Sequence, residues 1–490
     1  MSYNRNKPIG LCWTGHPLVD MGVAGLTVFA EKRNPAEVTG ADLEDFVEWA
    51  KDAYFTKEMT GWIAVAFTSN FINPSFEPER KREVAKKILE SFKNPNTLKA
   101  LGCSYFRRPA QQLVARDFVP MLTGREPSNF FPDGQPQLPI SGLGITTLQG
   151  LSLASPLVGG RLMVVAADDP RLLLLLVKCW QPEIRKRVQL SKSSGEKCSG
   201  WSGPRSRLIE KIVEIEQLRE NNQDPDLEYT GSVTIYYASN SGQGPELTIY
   251  TLELPALAFV RKAQGIRHRE AWNRLVSSAW QEVKDKDKDP RYARRNDVYE
   301  AVFDLPQDAA RFVRRFFWKP VVDQLKGAKP VEGKRRAKKS KSETTAANAA
   351  STRRPATLWG LLELFLREVL GMEQSRIQAI RALADRLADA VKDDNDRRLF
   401  RRIYTARKPF EVRQLLIQMG MRRLKEGLEP AVRFDEFLEI FEEGDELARA
   451  DFSLAWDLTR IRFIEALFDQ QWFDSNKEVL EDIPEEEEEE

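Results

Sequence analysis

Residues 326–357 contain no large apolar side chain except Val331, and six of the eight residues at 334–341 are positively charged. Such a stretch cannot bury enough apolar surface to offset the entropy lost on ordering. It reads as a basic disordered linker, so the regions on either side must each build a core. At 490 residues the chain also exceeds what one core supports, since single cores rarely grow past about 250–300 residues.

Before the linker, over 1–325, apolar runs with strand character at 62–67, 161–166, 232–238 and 247–254 alternate with helical periodicity. Val233, Ile235 and Tyr237 alternate with Thr234 and Tyr236, the period-2 pattern of a half-buried strand. Turn chemistry at 239–245 precedes renewed alternation at Leu247, Ile249 and Thr251, which predicts a hairpin with a long loop. A helix is expected to start at Pro170, with Asp168 and Asp169 placed to cap it. Beyond the linker, over 358–478, Ile377, Ile380, Ala384, Leu387 and Val391 step by three and four. Val412, Leu415, Leu416 and Met419 draw a second stripe, and Leu447, Leu454, Leu458, Ile461 and Leu467 a third. Gly371, Gly420, Gly427 and Gly444 are expected terminators. The pattern predicts an α+β N-terminal lobe, an all-α bundle of four or five helices, and an acidic tail at 479–490.

Several function classes lose support. No run reaches 18 apolar residues and the N-terminus lacks a secretory h-region, so neither a membrane span nor export is expected. Four scattered cysteines make no disulfide framework and fit a reducing cytoplasm. With only His16 and His268, histidine-based catalysis and multi-histidine metal sites are tightly limited, and no phosphate-binding GxxxxGK[ST] loop occurs. Cys12, His16 and Asp20 would share a helical face, but Pro17 disfavours helix at His16. The rival reading is a metal-dependent nuclease using Asp168, Asp169 or Asp20. A third is a scaffold independent of nucleic acid.

Charge favours a polyanion partner. Residues 426–490 hold 23 acidic and 5 basic side chains, a net of −18, whereas the preceding chain has a net of +19. The basic candidates are Arg261, Lys262, Arg267, His268 and Arg269, then Arg311, Arg314, Arg315 and Lys319 around Phe312, Phe316, Phe317 and Trp318. Interleaved arginine and aromatic side chains suit backbone contact and base stacking, or else an amphipathic helix that buries its rings. Lys334, Arg335, Arg336, Lys338 and Lys339 lie in the linker. Arg376, Arg381, Arg397, Arg398, Arg401, Arg402, Arg422 and Arg423 lie in the bundle. Asn70, Asn73 and Asn129 sit in turn-forming segments beside aromatics, where short amides reach a minor-groove edge or stabilise the turn.

The opening segment, with Trp13, Gly15, Pro17, Asp20 and Gly22, resembles the W-x-G-x-P-x-x-D-x-G start of the large-subunit family of type I-A/I-B CRISPR complexes. Further blocks similar to that family follow in its order: Phe67-Thr68-Ser69-Asn70-Phe71, Asn129-Phe130-Phe131-Pro132 and the stretch from Leu138 to Gly144. Gly159-Gly160-Arg161, Asp168-Asp169-Pro170, Trp456-Asp457-Leu458-Thr459-Arg460 and Ile464-Glu465-Ala466-Leu467 complete the series. The resemblance implies a non-catalytic prokaryotic protein that binds CRISPR guide RNA and target double-stranded DNA and reads the protospacer-adjacent motif from the minor-groove side. It also implies assembly with backbone and small subunits, and recruitment of a separate helicase–nuclease or transposition protein. Relatives hold zinc through two CxxC pairs; here, within about 100–160, those positions are Cys103, Phe106, Ser141 and Gly144, so no zinc and no cofactor is expected. Internal initiation supplies the small subunit in some such systems, and Met372 would start a 119-residue chain of that kind.

Replacing Lys334, Arg335, Arg336, Lys338 and Lys339 with glutamine should weaken DNA binding with little dependence on sequence. The slope of log affinity against log salt should flatten by about one unit for each phosphate no longer neutralised. An unchanged slope in a salt titration would make the run a solvated tether.

Overall fold

The computed structural model describes residues 4–67, 75–94, 96–98, 101–121, 137–198, 200–201, 203–222, 229–241, 244–281, 294–321, 358–443, 447–448, 451–476 and 478–481. The chain forms two compact units. One comprises Met1–Arg261 with Trp280–Phe303, the other Lys262–Ala279 with Asp304–Glu490.

The first unit mixes helices and strands. In chain order it holds α1 (Pro17–Phe29), α2 (Gly40–Ala53), α3 (Lys57–Ala66), α4 (Pro78–Leu89), β1 (Gln112–Val114), β2 (Leu138–Ile140) and α5 (Gly142–Ala154). Then follow β3 (Leu157–Val158), β4 (Arg161–Ala167), α6 (Pro170–Ser194), α7 (Pro204–Asn222), β5 (Val233–Ser241), β6 (Gly244–Leu252) and α8 (Leu254–Ala263). β1 pairs with β2, and β3-β4-β5-β6 form an antiparallel sheet in sequence order.

Its core is a helix crossing that only glycine permits. A Cβ on Gly22 would lie 2.1 Å from the Thr147 carbonyl oxygen, and one on Gly25 would lie 2.4 Å from that of Gly150. The backbones of α1 and α5 therefore touch, and every residue of α5 is buried. Buried hydroxyls are satisfied locally, Thr27 donating to Val23 O (2.7 Å) and Thr147 to Leu143 O (2.8 Å). Gln181 of α6 donates to Gly25 O at 3.0 Å, tying a third helix to the crossing. Pro17 occupies the first position of α1, where its missing N–H costs nothing. In the first turn, the Asp20 carboxylate accepts from Thr14 N (2.7 Å), Thr14 Oγ1 (2.8 Å) and Gly15 N (2.9 Å), fixing the incoming chain.

Two expectations for this unit need correction. The 62–67 run is the end of helix α3, not a strand: Met59, Trp62, Ile63 and Ala66 step by three and four onto a buried face, and Thr56 caps the helix. A short apolar run does not by itself separate helix from strand. The hairpin does not have a long loop either, because its ladder continues through Asn240↔Pro245 to Ser241↔Gly244. Leu254 begins α8 rather than ending β6. The helix from Pro170 is present, capped by Asp169 as expected.

The second unit begins with α9 (Arg269–Ser278); α10 (Asp297–Val302) returns to the first. The second resumes with α11 (Ala309–Val313), continued by one π-turn at Arg314–Trp318, then α12 (Trp359–Leu370), α13 (Gln374–Asp393), α14 (Arg397–Thr405), α15 (Pro409–Lys425) and α16 (Phe434–Phe441). A two-residue pair, β7 (Glu442–Glu443) with β8 (Leu447–Ala448), precedes α17 (Phe452–Asp469) and α18 (Glu478–Glu481). From about 359 to 470 the chain is thus essentially all helix, packed around α13 and α17. The predicted stripes on α13 and α15 are buried throughout, but Leu447 lies in β8 and does not extend the α17 stripe. Gly371 and Gly427 end α12 and α15 with φ of +61° and +76°, whereas Gly420 lies inside α15. Gly444 and the 326–357 linker fall outside the described residues. Met372 is buried at the α12–α13 junction, with its N–H bonded to Leu366 O at 3.0 Å.

The helix crossing makes a sharp prediction. Gly22→Ala should cost about 3 kcal/mol or more in denaturant unfolding, because no rotamer relieves a clash with backbone. Gly200→Ala, which meets nothing within 4 Å, should stay within about 0.5 kcal/mol.

Candidate nucleic-acid interface

Among the described residues of the second unit, helix α14 gathers the densest outward charge. The Asp396 carboxylate caps it, accepting from Arg398 N (3.0 Å) and Leu399 N (2.9 Å). Leu399, Phe400, Ile403 and Tyr404 face the core, leaving Arg397, Arg398, Arg401 and Arg402 exposed. Phe400 packs within 5.2–6.1 Å of Trp472, Phe463 and Tyr404, so the ridge stands on rigid aromatic backing. Arg397 is held by Asn476 Oδ1 (2.6 Å) and Glu478 (3.0 Å), and Arg402 by Gln418 Oε1 (2.8 Å). These partners orient the outer arginines without covering them.

Other predicted cations are more committed. Arg422 lies 2.9 Å from Asp394, 3.2 Å from Asp396 and 3.4 Å from Glu426, which hold its pKa above the ordinary value and balance its charge. Arg423 donates to Glu429 O at 2.8 Å. Arg376 is buried and forks onto Asp451 (2.7 and 2.9 Å), a structural placement. In the first unit, Arg261 bonds Glu216 and the Tyr229 carbonyl, both at 2.9 Å. Within the second unit, Lys262 pairs with Glu368 at 2.7 Å. Arg267 is exposed, while Arg269 is half-buried and donates to Gln264 O at 2.8 Å. His268 begins α9 half-buried; burial, Arg267 and Arg367 push its pKa below the ordinary value against the opposing pull of Glu363. It is neutral at pH 7 and adds no charge.

The aromatics beside Arg314 and Arg315 are buried: Phe312, Phe316, Phe317 and Trp318 expose 6% or less. Phe312 stacks on Phe365 at 5.1 Å and Trp318 on Tyr404 at 5.6 Å, so these rings cannot stack on bases. Arg315 and Lys319 remain exposed, whereas Arg314 reaches Asp457 at 2.7 Å. Much of the charge asymmetry is also internal. Acidic Glu436, Glu442, Asp451, Asp457 and Glu478 pair with Arg386, Arg413, Arg376, Arg314 and Arg397 within this unit.

Cys103, Phe106, Ser141 and Gly144 lie together. Cys103 Sγ accepts from Ser141 N (3.2 Å) and Phe106 N (3.5 Å), and Ser141 Oγ accepts from Gly144 N (3.2 Å). A Cβ on Gly144 would lie 2.7 Å from the Ile140 Cγ2 methyl and 3.7 Å from the Phe106 ring. One thiol, a phenyl ring and no room for a fourth ligand do not fit a tetrahedral thiolate site. The carboxylates of the nuclease reading are engaged elsewhere. Asp169 caps α6 and bonds Arg171, while Asp168 accepts from Ser232 N (2.7 Å) and Oγ (2.8 Å), bonds that lower its pKa. No group of three or more metal-ligating side chains occurs among the described residues.

Asn70, Asn73, Asn129 and the linker cations Lys334, Arg335, Arg336, Lys338 and Lys339 lie outside the described residues. A surface that the sequence pattern did not single out is α4, where Arg80, Arg82, Lys86 and Lys87 are exposed on one amphipathic helix. Its signal is five cations within 80–87. No family model, curated protein or solved structure matches the chain.

Both histidines have pKa values lowered first by burial. The folded chain therefore binds these protons less tightly than the unfolded chain, and stability should fall as pH drops below about 6.5. In urea titrations across pH 7 to 5, His268→Gln should reduce that fall; an unchanged profile would mean His268 titrates alike in both states.

Proposed function

We propose that this protein is the non-catalytic large subunit of a type I CRISPR surveillance complex, binding guide RNA and target DNA in the cytoplasm of a prokaryote. The observation that carries the reading is the α14 ridge, where Arg398, Arg401 and Arg402 face outward from an aromatic core. A rigid row of guanidinium groups suits a nucleic-acid backbone, because phosphate contacts need charge and reach, not base-edge geometry. The ordered sequence blocks support the same reading. In such assemblies pairing between guide and target reads sequence, while protein holds backbones and reads a short flanking duplex motif.

On this reading the bundle lies along target DNA, with Arg315 and the α14 row following the backbone. Arg267 and Arg269 offer a second contact and α4 a third. The segments around Asn70, Asn73 and Asn129 read the protospacer-adjacent motif. Backbone and small subunits complete the complex, which recruits a separate helicase–nuclease or transposition protein. Arginine is favoured on the ridge because its planar fork binds two phosphate oxygens at once.

Replacing Arg398, Arg401 and Arg402 with alanine should lower affinity for guide-loaded target DNA by roughly 10-fold or more at moderate salt. The salt slope should fall by about two to three units, similarly for unrelated target sequences. Because all three are exposed, the unfolding midpoint should not move. Unchanged affinity with an intact fold would remove α14 from the interface.

A further inference from the structure

Helix α15 has two apolar faces. Val412, Leu415, Leu416 and Met419 are buried in the bundle. Phe410, Ile417, Met421 and Leu424 are instead 65, 55, 59 and 61% exposed. At 3.6 residues per turn the exposed four fall within about 60° of arc, on the side opposite the buried four. Leu428, also exposed, follows the Gly427 turn, and its N–H returns to Arg423 O at 2.8 Å. With Gln414 the helical series 410, 414, 417, 421, 424 steps by four and three, the narrow seam of a two-stranded coiled coil, and Leu428 adjoins its end from the turn. Five such side chains present on the order of 500 Å² of apolar surface, as large as the largest patches on ordinary monomers.

We infer that this face pairs with the same face of a second copy, antiparallel about a two-fold axis near Gln418 and Gly420. The seam is self-complementary in that orientation. Ile417 packs against Met421 of the second copy, Gln414 against Leu424, and Phe410 against Leu428. Along one flank Gln418 meets its own counterpart, and Glu411 meets Lys425 at both ends with opposite charge. Along the other flank the two Gly420 residues meet, and a Cβ there would touch nothing closer than Pro430 at 3.8 Å, which leaves room for close approach. Arg413 falls opposite Gly427, not opposite a cation. Arg413 and Arg422 are already balanced by Glu442, Asp394, Asp396 and Glu426 of their own chain, so the like-charge contact left near the axis is that of Arg402, held on Gln418 Oε1 at 2.8 Å, with its counterpart. An isologous contact of this kind closes on itself as a dimer. Two copies would bury roughly 1,000 Å², the lower bound for a specific interface, so exchange should be rapid. A helix lying on a membrane would need a broader apolar face than this seam. The inference does not rest on the nucleic-acid reading, although Arg402 of the α14 row reaches the flank of the seam at Gln418.

Analytical ultracentrifugation of the full chain tests it. The weight-average mass should rise from monomer toward dimer across the micromolar range. Ile417→Glu with Met421→Glu should remain monomeric with an unchanged unfolding midpoint, since both positions are exposed. Lys425→Glu alone and Glu411→Lys alone should each weaken self-association at least 10-fold. Mixed one to one, they should restore a heterodimer, because both flank contacts then join opposite charges. Glu411 also caps α15 by accepting from Arg407 N (3.0 Å) and Lys408 N (3.2 Å), so circular dichroism accompanies that variant; the Lys425→Glu and Ile417→Glu/Met421→Glu results stand without it. A wild-type chain monomeric throughout would overturn the proposal. So would a dimer indifferent to Ile417→Glu/Met421→Glu, charge variants that do not prefer one another, or a seam occupied only by anionic vesicles.

Discussion

A single buried carboxylate joins the parts of the helical unit that bear on function. Asp457 of α17 exposes 3% of its surface and is shared by Arg314 (2.7 Å) and the equally buried Arg460. Arg460 donates onward to Tyr404 O at 2.9 Å and lies 4.7 Å over the Trp318 ring. Trp456 donates to Ala406 O at 2.8 Å. The last turn of α14 is thereby tied to α17, and the π-turn before the linker is tied to both. Buried ion pairs seldom add much net stability over apolar packing, but losing one partner strands the other at a cost of about 3–5 kcal/mol. Such a node specifies one arrangement, and the arginine ridge inherits its rigidity.

The sequence blocks that carry the family resemblance are, where described, joints of this kind. Asp20 fixes the chain into α1, and Gly22 lets α5 approach to backbone contact. Gly159 and Gly160 adopt φ of +57° and +79° between β3 and β4, a conformation that favours glycine. Asp169 caps α6, and the Trp456–Arg460 block is the node itself. Architecture and outward charge thus draw on different residues: the blocks form joints of the fold, while the exposed cations of α14 take no part in them.

How far the fold could be read from the chain followed from periodicity. Stripes such as Ile377 to Val391 and Val412 to Met419 announced buried helix faces correctly, because they repeat the 3.6-residue period over about four and two turns. The 62–67 run misled because six residues fit either period, and the determining partners, Met59 and the Thr56 cap, lie upstream. The candidate site was legible only in part. Clustered arginines show in a sequence, but the carboxylates that neutralise them do not: Asp394 and Asp396 balance Arg422, and Asp451 claims Arg376 from 75 positions away. The outer face of α15 went unread for a related reason, since one stripe on a helix is expected and a second, opposite stripe is not.

The central claim is that the chain is built into an RNA-guided complex. The direct measurement is sequencing of the RNA that copurifies with the tagged full-length chain, expressed together with its neighbouring genes and a CRISPR array. The account predicts stoichiometric guide RNAs of uniform length carrying repeat-derived ends, retained through size exclusion with the partner subunits. Purification of the chain free of such RNA, while those partners assemble a guide complex without it, would contradict the account.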